Sequence, residues 1–523
     1  MPEPRTWQYV AGSAVLGLAL ATGAVAAAGP WDSGQRKAER AAAVLADGRG
    51  GVHHAGPPAA APHRPAPAPS APGVLRALGA ATAPAGTTTR TGDDLAARLV
   101  PLLADPGLGP LRTASVVDAV TGKQLYGEGA GTPMTPASTV KIATTAAALS
   151  ALGPDHRIAT TTVAAPDGRT VTLVGGGDPT LDRARLKTLA ADTARALRAR
   201  GVTGPVRLGY DTSRYSGPEL HPIGPNENIA PVTALMTDEG RLDHSTSGPA
   251  PRSADPAGDT ARTFAGLLRE AGVRVEGEPT HGRARDAAKQ PTEGAKPSND
   301  AKPTAGAQPT KPAGPTGPAG PTGSTAPPPA KAPAPAPALL ARTDSAPLAD
   351  LVERTLTHSD NDLAEALARQ TALARHQPAS FAGAGKAVHA ELARLGLPLA
   401  GARFADGSGL DRADRVSAAL LTGILTRAAD PARPALRPVL TGLPVSGFSG
   451  TLAGRFGDGP AAAGAGLVRA KTGTLTGVNT LAGTVVTPDG RLLAFAFLAG
   501  RTTAPDAAQT ALDRLSAALA PPR

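Results

Sequence analysis

Hydrophobic and polar positions divide the chain into stretches that can pack and stretches that cannot. Residues 6–31 carry no charge, and 10–28 are almost continuously apolar, rich in Ala and Gly. Residues 32–90 are Ala, Pro, Gly and His without a period, which reads as a tether. Packable sequence begins near Gly92. The spacing over 93–100 predicts a helix, with Pro101 marking its end or a kink. Residues 114–118 and 123–126 flank Thr121-Gly122, a hairpin signal. An Ala-rich helical run over 138–151 stops at Gly153-Pro154.

Short strands dominate the next stretch. Residues 160–163 and 170–174 flank Pro166-Asp167-Gly168, and 206–210 form a third strand. Helices are expected over 186–200 and 259–271, ended by Gly201 and Gly272. Residues 281–340 hold fourteen prolines and almost no large apolar side chain before Leu339, so they are expected to be a disordered surface insertion. Helical patterns return at 348–356, 362–375 and 384–395. A loop at 406–410 and a strand at 467–474 come next. A hairpin, 480–486 with 491–498, turns at Pro488-Asp489-Gly490, and a helix over 507–519 closes the chain. Strands thus stand at both ends of the packable region, with helices between.

Composition narrows the chemistry. The 523 residues are too many for one ordinary domain, and aromatics make only 2%, so Ala, Leu and Val do most of the packing. No cysteine is present, which excludes disulfides, thiol nucleophiles and cysteine metal sites. The net charge of +10 comes largely from 32–90 and 281–340, each with seven Lys/Arg against three Asp/Glu. No basic patch with interleaved aromatics is present, so nucleic acid is not an expected partner. The 10–28 run reads either as a secretory signal with small-residue cleavage sites or as an uncleaved membrane anchor; both export the rest of the chain. The triple glycine at 175–177 lacks the G-K-[ST] of a phosphate loop and reads as a tight turn. No cofactor or metal site is indicated; His53, His54 and His63 read as solvated.

Three short elements carry the chemistry. Pro136-Ala137-Ser138-Thr139-Val140-Lys141 places a hydroxyl at a helix start, with an amine one turn on. Ser359-Asp360-Asn361 stands on a loop between helices, and Lys471-Thr472-Gly473-Thr474 on a strand. Each is weak alone. In this order they form the signature of active-site serine penicillin-recognising enzymes. In that scheme Ser138 attacks a carbonyl. Lys141, partly desolvated and near cationic Lys471, is the base. Ser359 relays the proton to the leaving amine, Asn361 holds the substrate amide, and Lys471 and Thr472 bind a carboxylate. The N–H groups of Ser138 and Thr474 form an oxyanion hole. Gly473 leaves room for substrate along the strand.

The chain resembles the D-alanyl-D-alanine carboxypeptidase/endopeptidase family of class C low-molecular-mass penicillin-binding proteins. Besides the three motifs, Gly175-Gly176-Gly177-Asp178-Pro179, Asp406-Gly407-Ser408-Gly409-Leu410 and Gly450-Thr451-Leu452 carry the likeness. The 221 residues from Ser138 to Ser359 fit a branch with domains inserted between the first two motifs. The resemblance implies an α+β, multi-domain architecture. Residues 91–157 and 341–523 would form a transpeptidase-like domain, an antiparallel sheet between helical layers. Residues 158–280 would form the strand-rich inserted domain or domains, and 281–340 the Pro-rich insertion. It implies peptidoglycan stem peptides as substrate, β-lactam antibiotics as inhibitors, and an extracytoplasmic site of action. A β-lactamase would share the motifs but needs a further base for deacylation. A non-catalytic wall-binding protein of the same fold would be expected to have lost Ser138, Lys141 or Lys471.

Overall fold

The computed structural model describes residues 92–166, 168–243, 245–284 and 337–520. The expected signal or anchor at 1–31, the tether at 32–90 and most of the 281–340 insertion lie outside them. Among the described residues no helix is long and apolar enough to cross a membrane.

Two five-stranded sheets organise the described chain. The first joins β1 (Leu111–Asp118) and β2 (Gln124–Glu128) to three strands from the far end, β8 (Val468–Leu475), β9 (Val478–Val486) and β10 (Leu492–Gly500). Its order is β2-β1-β10-β9-β8, antiparallel throughout. Successive side chains of a strand point to opposite faces. In β10, Leu493, Phe495, Phe497 and Ala499 pack with α1 (Gly92–Leu103) and α9 (Pro505–Ala517), while Ala494, Ala496 and Leu498 face the other layer. That layer holds α2 (Lys141–Leu152), α5 (Leu348–His358), α6 (Asn361–Ala374), α7 (Phe381–Arg394) and α8 (Ala418–Ala429). A strand covered on both faces reads as a continuous apolar run rather than an alternation. The alanines on the inner side let α2, itself alanine-rich, pack against the sheet.

The second sheet has the order β6-β5-β4-β3-β7. It comprises β3 (Ala159–Ala164), β4 (Thr170–Val174), β5 (Val206–Asp211), β6 (Val275–His281) and β7 (Ala338–Asp344). The β4–β5 and β5–β6 pairs are parallel. Such pairs need crossover connections, and α3 (Arg183–Ala199) and α4 (Pro256–Glu270) supply them, burying Leu186, Leu189, Phe264 and Leu268 against Val171, Leu173 and Leu208.

The inserted region holds the expected strands and both expected helices as one mixed α/β unit, and after β5 the described residues of 212–255 run irregularly except for one short turn. Several other expectations are corrected. The boundaries of the Pro-rich insertion shrink: His281 ends β6, and Ala338–Asp344 pairs with β3, so the second sheet claims both flanks and reaches past residue 341. Leu339 and Leu340, the first large apolar residues after the prolines, belong to that strand. Helix α1 continues through Pro101, which is exposed in its last turn. The run at 138–151 begins as a 3-10 turn over Ala137–Val140, and the α-helix starts only at Lys141. Helix α8 had a readable signal that was missed. Ser417 caps it by accepting from Leu420 N–H, and Leu420, Leu421, Ile424, Leu425 and Ala428 follow at helical spacing.

Candidate active site

The S-x-x-K serine is presented by a strained turn. Ala137, just before Ser138, has φ 48°, a left-handed conformation rare for a residue with a Cβ. Gly409 abuts it: a Cβ there would come within 2.1 Å of the Ala137 carbonyl oxygen. Gly473 abuts it from β8. A Cβ at Gly473 would lie 2.2 Å from Thr480 Oγ1 and 2.7 Å from the Pro136 carbonyl oxygen. The glycine of K-T-G therefore makes room for the serine turn, not, as expected from sequence, for substrate along the strand.

Lys141 is fully buried at the first position of α2. Its Nζ donates to Ser138 Oγ at 3.0 Å, Asn361 Oδ1 at 2.7 Å and the Ser408 carbonyl at 2.6 Å. Three acceptors match the three protons of an ammonium. Burial lowers the Lys141 pKa to about 8, against the upward pull of Asp406, Asp360, Glu365 and Asp414. Lys471 is also fully buried, with Nζ donating to the Thr472 carbonyl at 2.7 Å. Burial, then the charge of Lys141, drives its pKa well below the usual lysine value, and no carboxylate offsets this. Of the two reasons expected for a neutral Lys141, desolvation is the largest cause of its lowered pKa.

Ser359 and Asp360 are the whole link between α5 and α6. Ser359 ends α5 in the left-handed conformation, φ 59°. Asp360 caps α6 by accepting from Leu363 N–H at 3.0 Å. Asn361 is the first residue of α6. Ser359 lines the cleft but is not among the partners of Lys141.

Strand β8 is a sheet edge. Pro444 and Ser446 bond its first half, Ala470 N–H to Pro444 O and Ser446 N–H to Val468 O, which leaves the edge beyond Ala470 facing the cleft. The cleft, about 300 Å³, is lined by Ser138, Ser359, Asn361, Thr472 and Thr474, with Leu410 and Thr451. All eight residues expected from sequence thus fall at or directly beneath one site. Thr451 and Ser408 were not assigned roles from sequence, although both stand in quoted motifs; Thr472 Oγ1 donates to Thr451 Oγ1 at 2.8 Å. Ser408 acts through its backbone carbonyl, which residue type does not reveal.

The far wall comes from the irregular 212–255 stretch: Asn228, Arg241, Ser247, Gly248, Pro249 and Arg252. Ion pairs hold it to the S-D-N loop and the start of α6: Arg252 Nη1 meets Asp362 Oδ2 at 3.0 Å, and Arg354 bridges Glu239 and Asp360, while within the wall Arg241 Nε meets Glu239 Oε2 at 2.8 Å. Burial raises Glu239 to about 8 and Asp362 to about 7.

Among the described residues, two buried groups have donor sets that could surround a cation: Glu239, Asp360 and Asp362, and His221, Glu365 and Asp406. The first is already met by three arginines. In the second, Asp406 faces His221 and Glu365 accepts from the N–H groups of Gly407 and Ser408.

A serine at a helix start, bonded to a buried lysine titrating near 8 and opening on a sheet edge, defines a serine acyl-transfer site of the penicillin-recognising class. Residues 95–251 and 322–519 match the D-Ala-D-Ala carboxypeptidase 3 (S13) family, and the chain belongs to that family. It is 37% identical to carboxypeptidase DacB of Mycolicibacterium smegmatis, over 92% of this chain and 93% of that one. It is 30% identical to a D-alanyl-D-alanine carboxypeptidase of Actinomadura sp. strain R39, over 79% and 82%. Its fold is similar to that of penicillin binding protein 4 (dacB) from Haemophilus influenzae, with a TM-score of 0.58 at 21% identity, covering 81% of this chain and 97% of that one.

Proposed function

We propose that the chain is a serine D-Ala-D-Ala carboxypeptidase acting on peptidoglycan stem peptides, with cross-link hydrolysis at the same site, and that β-lactams acylate it. The observation that carries this reading is the Lys141 ammonium site, bonded at once to Ser138, Asn361 and Ser408. With Lys141 neutral, its Nζ takes the Ser138 proton as Oγ attacks the carbonyl of the penultimate D-Ala. The N–H groups of Ser138 and Thr474 receive the oxyanion. Ser359, in the same cleft, gives its hydroxyl proton to the leaving D-Ala amine and takes back the proton that Lys141 received from Ser138. Asn361 holds the substrate amide. The terminal carboxylate binds Thr472 and Lys471, and supplies the counter-charge that the buried Lys471 lacks. Water then hydrolyses the acyl-serine. The chain's site of action is extracytoplasmic, reached through the apolar 10–28 run as signal or anchor.

The test has two arms. Fluorescent penicillin is expected to label Ser138, and Ser138→Ala to lose the label while keeping its circular-dichroism spectrum. Defined muropeptides, analysed by mass, are expected to lose one terminal D-Ala. Labelling that survives Ser138→Ala overturns the assignment of the nucleophile. Rapid release of hydrolysed penicillin, with no D-Ala formed, makes the chain a β-lactamase instead.

A further inference from the structure

Of the three acceptors around Lys141 Nζ, Ser138 is the reacting one. The other two, Asn361 Oδ1 and the Ser408 carbonyl, decide where the amine points. Both are held from the inserted region. Asn361 Nδ2 donates to the Asn228 carbonyl at 3.0 Å, which turns Oδ1 toward Lys141. Ser408 sits on a loop wound around the Asp406 carboxylate. Oδ1 accepts from Gly409 N–H at 2.6 Å, and Oδ2 from Asp411 N–H at 2.8 Å and Ser408 Oγ at 2.9 Å. Asp414 also hydrogen-bonds that carboxylate from within the loop, and the inserted region adds one contact, His221 Nε2 at 2.9 Å. The imidazole is 1% exposed and the carboxylate 0%. His221 Nδ1 accepts from Ile223 N–H at 3.2 Å, which leaves Nε2 as the protonated nitrogen facing Asp406. Phe381 packs edge-on to the ring at 5.3 Å and fixes its plane.

We propose that His221 is a positioning residue for Lys141, acting through Asp406 and the Ser408 carbonyl, so that the inserted region completes the catalytic base. The proposal rests on the role given to Lys141 above. A buried carboxylate that loses a hydrogen-bond donor turns toward its remaining partners and exerts a stronger field. The charged groups facing Lys141 are Lys471 on β8, Asp360 and Glu365 on and before α6, and Asp406 and Asp414 on the loop. Removing the His221 donor therefore favours the Lys141 ammonium and loosens its aim.

The test compares full-length wild type, His221→Ala and His221→Gln, the glutamine keeping an N–H donor. Penicillin acylation is followed against pH, and Lys141 itself by lysine ¹³Cε NMR, its signal assigned by loss in Lys141→Ala. For His221→Ala the expected result is an acylation rate constant about tenfold or more lower, with little change in the non-covalent dissociation constant. The Lys141 titration should also move upward by about half a pH unit or more. His221→Gln should recover most of both. Titration and acylation at wild-type values in both variants overturn the inference. So does an equal loss of rate in both with no movement of the Lys141 titration, which marks a purely structural role. Wild type that is not acylated at all defeats the functional reading instead, and the Lys141 titration still decides the positioning role.

Discussion

The two walls of the cleft are built by different physics. One is β8, a strand whose register is set by eight residue pairs with β9 and whose lysine is packed beneath it. The other is backbone from 228 to 252 whose described residues have almost no regular structure, held to the S-D-N loop and the start of α6 by arginine–carboxylate pairs, of which Arg252–Asp362 is nearly dry. A sheet edge spreads its stability over many bonds, so one lost side chain removes chemistry and leaves the wall standing. An ion-pair wall concentrates stability in a few buried charges, and one lost partner leaves the other uncompensated.

The sharpest test of this contrast is a pair of substitutions, one per wall. Lys471→Ala is expected to lower penicillin acylation by about 10²–10³-fold, since it removes the charge-assisted contact to the substrate carboxylate. The far-ultraviolet spectrum and cooperative melting should persist. A loss below about tenfold would show that Lys471 does not read the carboxylate. Arg252→Ala should do the reverse, costing about 3–5 kcal/mol of stability because Asp362 is left buried and unpaired.

The pH dependence of that second variant follows from Asp362. Its folded pKa is raised to about 7, above the unfolded carboxylate value, so the folded state holds a proton that the unfolded state has released. Stability from this group is full at acidic pH and is lost as pH rises through about 7. Denaturant midpoints of Arg252→Ala should therefore fall more between about pH 5 and pH 8 than those of wild type. Parallel midpoints would mean that Asp362 is not titrating in the wall.

For wild type, Lys141 titrates at about 8, so the fraction of neutral base grows as pH climbs. Acylation should rise through that value and level off above it. A rate flat from about pH 6 to pH 9 removes Lys141 as the base. The smallest effect is expected for Thr451→Val. It deletes one hydrogen bond to Thr472, worth about 1 kcal/mol. Acylation should stay within about tenfold of wild type, as measured by stopped flow.

The difference between the walls also explains what the sequence revealed. Strand β8 and the three motifs were readable because their residue types do the work: a nucleophile, two amines, hydroxyls at fixed spacing. The hairpin between β9 and β10 was readable from Pro488-Asp489-Gly490. The second wall was not, because a periodic pattern is the main signal of an element and 212–255 has none. Its parts act through long-range partners. Asn228 contributes a carbonyl, and His221 finds Asp406 across 185 residues. Gly473 was assigned to substrate because glycine tells of close approach but not of which neighbour approaches. The extent of the Pro-rich insertion was overdrawn because composition changes before pairing does, and Ala338–Asp344 is committed to β3 by register.

The pairing of β1 with β10 has a consequence for how the chain comes to exist. Asp118 meets its Arg491 partner 373 residues later. Until β10 has been made, β1 and β2 are a lone hairpin, and such a hairpin is marginal in water. Helix α2 meanwhile has its alanine face turned toward a floor not yet laid. The inserted region carries its own core and can order earlier. A ribosome therefore builds this enzyme from the middle outward, and a transcript cut short by its last forty-five or so residues would yield a chain with every motif in place and no surface on which to assemble them.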